Sequence, residues 1–199
     1  MPSIHPAHLS LALRVYADLP AIRCCPGPAL QPSTVRLHVS TVRSLESGEV
    51  QGYAEHAVDG AHGGSIEIIH HPDAHAATVL VVLLHEVVHL ALPERELHGP
   101  LFRATFAAAA EEAWGIDLGD ELDEDGPGEG YEWLQQVIEY RLRERTIGLR
   151  LRLWWVGARR WLGVLGAQDG LDVGLADHLL LMATTILRLE KHRVHAQHP

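Results

Sequence analysis

The chain has 199 residues, 47% of them hydrophobic and 21% charged, with a formal net charge of −10. That composition belongs to a globular protein and excludes disordered and fibrous classes, and the length allows one good-sized core or a core plus a small appendage. The acidic balance excludes the chain as a whole from being an electrostatic match for nucleic acid.

No charged stretch followed by an apolar run opens the chain, so no signal peptide is expected. Residues 8–19 carry helical spacing and predict an opening helix. Cys24–Pro32, broken by Pro26, Gly27, Pro28 and Pro32, reads as a loop. Its adjacent Cys24 and Cys25 make no disulfide framework and point to a reducing, cytoplasmic setting. Thr34–Val42 alternates, with Val35, Leu37 and Val39 on one face, and predicts a strand with Val50–Val58 as its partner. Asp59–Gly64 is a turn and Ser65–Ile69 a short β-branched strand. Asp73 is placed to cap a helix running from about Ala74 to Ala91, with Pro93 just past its end. The middle of that helix, VLVVLLHEVVHL, is apolar on every side, which predicts burial at the centre of the domain. A further helix is expected from Pro100 to Trp114.

Residues 119–130 are acidic and glycine-rich and read as a linker between a domain over 1–118 and a helical C-terminal segment over 131–199. In that segment Tyr131–Arg145, Leu149–Trp161 and Leu171–Arg193 read as helices, rich in arginine and carrying Trp154, Trp155 and Trp161. The apolar stretches are too short or too polar for a membrane span.

The central helix contains His85-Glu86-Val87-Val88-His89. Histidines at i and i+4 lie one above the other on a helix, so one zinc ion can bridge both imidazoles without bending the backbone. Glu86 is then placed to take a proton from a water whose pKa the metal has lowered. The bare pattern occurs by chance. Two histidines and a glutamate inside an apolar helix, however, would be costly unless paired or ligated. A catalytic zinc takes a third protein ligand. His98, after the helix end at Pro93, is the best placed. Glu111 or Glu112 on the next helix, and His70, His71 and His75 before the zinc helix, are rivals.

The string HEVVH followed by His98-Gly99-Pro100-Leu101-Phe102 resembles the SprT-like zinc metallopeptidases, the family that includes the protease Spartan. Their pattern is HExxH, a short loop, then His-Gly-x-x-Phe. The close resemblance spans about residues 60–116. It implies an α+β zincin-like domain, with a small sheet packed on the HExxH helix and an α-helical segment following. It also implies Zn2+ held by His85, His89 and His98, and Glu86 as catalytic base in the hydrolysis of peptide bonds in a protein or peptide substrate. Gly99 would allow a tight turn beside the metal and Phe102 would anchor the next helix. Arg95 stands where the metzincin pattern needs a histidine. The cysteine zinc ribbon that many relatives carry is missing, since no cysteine follows Cys25.

The remaining signals are weaker. Glu121–Glu132 loosely resembles a calcium loop, but Pro127 and Gly128 fall at its seventh and eighth positions, and a solvated acidic linker is favoured. The Arg/Trp-rich tail could bind single-stranded nucleic acid, but helices packing their tryptophans on the zinc domain are favoured. Tyr53 and Tyr131 are candidate oxyanion donors that spacing does not separate. The rival class is a non-catalytic, zinc-stabilised binding or regulatory protein, against which Glu86 argues.

Overall fold

The computed structural model describes residues 6–27, 29–57, 63–118 and 133–144. The elements run α1 (Pro6–Ala17), α2 (Pro20–Arg23), β1 (Val35–Thr41), β2 (Val50–His56), β3 (Gly64–His70), α3 (Ala76–Ala91), a 3-10 turn (Glu94–Glu96) and α4 (Pro100–Trp114). A further helix, α5, covers residues 133–144. The architecture is mixed α+β, with one three-stranded sheet.

Strand order is β1-β3-β2. β2 was expected beside β1, but it pairs antiparallel with β3, while β1 pairs parallel with β3. The reason is burial. β3 is the strand whose inward side chains, Ile66 and Ile68, are fully buried, and a central position gives it neighbours on both sides. Both edge strands are only partly buried and alternate with exposed residues such as Arg36, His38 and Tyr53, as suits a sheet with one solvated face.

α3 lies against the other face. Fifteen of its residues are buried, and β2, β3, α1, α2 and α4 all pack on it. An all-apolar helix is stable only where every side finds a cover, and these elements supply it. Asp73, expected as the cap, lies too early. The helix begins at Ala76, and the Nδ1 of His75 accepts a hydrogen bond from the Ala77 N–H at 3.1 Å. An imidazole nitrogen thus does the work usual for a Ser, Thr, Asn or Asp oxygen. α4 closes with Gly115 at φ 65°, a left-handed cap that only glycine adopts without strain.

α5 joins the same core through Leu134, Ile138 and Leu142, at i, i+4 and i+8. Its polar edge reaches the first turns of α3. The Thr78 hydroxyl donates to Glu139 at 2.8 Å and accepts from Arg143 at 2.7 Å, and Arg143 also pairs with Glu139. Among the described residues, no helix is long and apolar enough to cross a membrane. The expected helices over Leu149–Trp161 and Leu171–Arg193, with their tryptophans, the acidic linker and its calcium-like loop lie outside the described residues.

Candidate metal centre

His85 and His89 stand one turn apart on α3, and α3 ends directly after Ala91. Pro93 then starts the 3-10 turn Glu94–Glu96, which reverses the chain and delivers His98 to the face carrying the other two. The reversal is concentrated at Leu97, whose φ is 28°. A positive φ in a branched residue costs on the order of 1–3 kcal/mol and persists only where its surroundings hold it. Gly99 was expected to make this turn. It sits instead in ordinary extended conformation at φ −67°, as the residue before α4, with Pro100 in the first helical turn.

The three Nε2 atoms form a nearly equilateral triangle: 3.1 Å between His85 and His89, 3.0 Å between His89 and His98, and 3.1 Å between His98 and His85. Hydrogen bonding cannot satisfy that triangle. Each Nε2 either carries a proton or offers a lone pair. With three members and two states, at least one pair must be alike and repel. A cation at the shared focus satisfies all three lone pairs together. Nitrogens bonded to one tetrahedral ion at about 2.0–2.1 Å lie roughly 3.3–3.4 Å apart, so the observed triangle fits to within a few tenths of an ångström. His85, His89 and His98 are the one described group of His, Cys, Asp or Glu side chains arranged to hold a metal ion.

Phe102 forms the floor. Fully buried, its ring centroid lies 4.8 Å from that of His85, 4.5 Å from His89 and 5.0 Å from His98. Phe106 backs it, 5.8 Å from Phe102 and 5.6 Å from His85. The phenylalanine expected to anchor α4 therefore does so while packing against every imidazole of the triad.

Burial sets the protonation states. It pushes His85 down to about 3, with His89 and His98 adding repulsion, and pushes His89 down to about 4, with His98 and then His56 adding theirs. Neutral imidazole is the ligating form, so both nitrogens are available well below their ordinary range. Glu86 is 5% exposed, and burial raises its carboxyl to about 7.

The rival ligands are engaged elsewhere. His70 donates from Nδ1 to the His71 carbonyl at 3.0 Å, which leaves its Nε2 to accept from the Thr41 hydroxyl at 3.3 Å. His71 accepts from the Asp73 N–H, and His75 caps α3. The Glu112 carboxylate accepts from the Ala21 N–H at 2.9 and 3.2 Å, holding α2 to α4, and Glu111 is exposed. Tyr53 is 56% exposed and donates to Gln51 at 3.2 Å. Tyr131 lies outside the described residues.

Two residues of the site carry no motif. Gly52 of β2 faces Glu86, and a Cβ built there would stand 2.5 Å from Glu86 Oε1. His56, on the same inward face of β2, lies near enough to His89 to influence its charge. Only the pairing of β2 over α3 brings either to the centre. The period-two pattern places Gly52 and His56 on one face of a strand, without saying which helix that face meets.

No family model, curated protein or solved structure matches the chain.

Proposed function

We propose that this chain is a zinc-dependent peptidase of zincin-like fold, akin to the SprT-like enzymes whose sequence pattern it resembles. The observation that carries the reading is the convergence of three imidazole nitrogens on one focus, with a buried carboxyl on the next residue of the same helix. Three imidazole ligands suit zinc, and three protein ligands leave a tetrahedral ion one open position. A purely structural centre closes all four positions and has no use for a buried Glu86.

Zinc at this centre supplies Lewis-acid polarisation of a carbonyl and lowers the pKa of water toward neutrality. The chain's own contribution is proton management and orientation. Glu86, buried and one residue on from His85, is placed to accept a proton from the attacking water. It then returns that proton to the departing amine nitrogen, so the carboxylate ends as it began. Phe102 keeps the imidazoles dry and fixed in orientation.

The open edge of β2 supports a polypeptide as substrate. The His71 N–H donates to the Glu49 carbonyl, and the Ala57 N–H donates to the Gly63 carbonyl. In an antiparallel ladder the direction alternates, so odd-numbered residues of β2 bond to β3. Val50, Gly52, Ala54 and His56 therefore turn their backbone N–H and C=O groups outward, and among the described residues no strand pairs with that edge. An extended polypeptide can pair there with its carbonyls running past Glu86.

Metal analysis together with cleavage assays on casein and on DNA-bound protein tests the reading. Wild type should hold one zinc per chain and cleave, while Glu86→Gln should keep the zinc and lose on the order of 10²–10⁴-fold in kcat. His98→Ala should lose zinc affinity. If wild type and Glu86→Gln both hold zinc and neither cleaves, the site is a structural or regulatory one and the peptidase reading fails.

A further inference from the structure

A glycine in the middle of an edge strand is ordinarily a weak point, because it packs nothing and loses more backbone freedom on folding than any other residue. Gly52 sits at such a place, opposite Ile68 of β3. The space its missing side chain would take is already filled. A Cβ there would stand 2.5 Å from Glu86 Oε1, 2.6 Å from Val82 Cγ1 and 2.9 Å from Glu86 Cγ. Val82 and Glu86 are one turn apart on α3, so a methyl group at position 52 would wedge between them.

We propose that Gly52 is a positioning residue for Glu86: the bare backbone of β2 is the wall against which the Glu86 side chain is laid beside the three histidines. The alternatives to displacing Glu86 are stiffer. β2 is held in register to β3 along its whole length, from Val50 opposite His70 to His56 opposite Gly64. Val82 is buried, and its β-branched side chain has one strongly preferred rotamer in a helix. Glu86 turns about three side-chain bonds, and it is the group that would give. The three atoms nearest the added Cβ belong to Glu86 and Val82 and none to a histidine, so the position bears first on the carboxylate. The consequence for turnover rests on the peptidase reading; the packing between Gly52 and Glu86 does not.

Gly52→Ala, made in the full chain, tests this on three readouts. Bound zinc should stay at the wild-type ratio. Turnover of a cleaved substrate should fall by about 10²-fold in kcat with KM little changed, as a misplacement of about 1 Å can produce. In metal-free protein, Gly52→Ala should lower Tm by several degrees, and that loss should shrink when Glu86 is first cut to Ala, because the blocked space is then open. Equal Tm losses in the Glu86→Ala and wild-type backgrounds would overturn the proposal. So would full recovery of turnover and Tm in Gly52→Ala/Val82→Ala, which would put the clash on Val82 alone. If Gly52→Ala does not fold by itself, recovery of folded protein in Gly52→Ala/Glu86→Ala supports the proposal and failure there overturns it. A wild type that cleaves nothing sinks the peptidase reading, while the Tm cycle still decides whether Gly52 places Glu86.

Discussion

Titration in chelator should expose what burial does to the individual groups of the centre. In metal-free protein, His85 is held at about 3 and His89 at about 4, against an ordinary 6.5, and Glu86 is held at about 7 against an ordinary 4.5. Below pH 6.5 the unfolded chain takes up protons on both histidines that the folded chain refuses, so each histidine lowers stability as the pH falls. Glu86 acts the other way. Between pH 7 and 4.5 the folded chain holds a proton that the unfolded chain has released, so its contribution rises as the pH falls. Near pH 7 the two opposing effects nearly balance, and with further acidification the two histidines outweigh the one carboxyl. Melting temperature in chelator should therefore decline on acidification from about pH 7 toward 4.5. A curve that is flat or rising on acidification over that range contradicts these protonation states. Of the residues involved, His85, Glu86 and His89 were legible in sequence because an i, i+4 pair on a helix is a local fact. His98 could be ranked first but not separated from Glu111, Glu112, His70, His71 or His75. What removes those rivals is a set of hydrogen bonds and exposures that no spacing encodes.

Among the elements, α3 shows how context reassigns a local role. Asp73 has the better capping chemistry, but His75 sits at the helix start and does the capping. His75→Ala should cost about 1 kcal/mol, within the usual range for loss of a cap, and His75→Asp should hold or raise stability, because a carboxylate at a helix N-terminus also meets a favourable dipole. Urea denaturation at neutral pH measures both. A null effect of His75→Ala would mean that the imidazole hydrogen bond carries no net stabilisation. The strands show the same dependence on context. The extents of β1 and β3 were readable to within one residue at each end, and that of β2 overran by two. Their order was not, because pairing depends on which strand's inward side chains must be most deeply buried, and that depends on what covers the sheet.

For the whole molecule, the helix over residues 133–144 shares the core of the elements that carry the three histidines. Ile138 is fully buried in the same cluster as the residues of α3 and α4. Ile138→Ala should destabilise by about 2–5 kcal/mol, and the loss should appear in the one unfolding transition that also reports on the centre. An added early transition, with the centre unaffected, would mean that α5 unfolds independently. The clamp from Glu139 and Arg143 to Thr78 ties this helix to the start of α3, at the opposite end from the histidines. An arginine of the basic C-terminal part is thus used in packing.

The sequence by itself determined the chemistry-bearing helix. An apolar stretch with two histidines one turn apart is self-contained, since helix periodicity brings its two imidazoles together without help from the rest of the chain. It also determined the fold class, through alternation in the strands and the all-apolar character of α3. Tertiary structure alone decided the third corner of the triangle, the aromatic floor beneath it and the glycine that faces the carboxylate. Those residues meet only after the sheet has packed on α3 and the chain has reversed at Leu97. Contact across a fold is set by which surfaces must be buried together, and no periodicity along the chain records that.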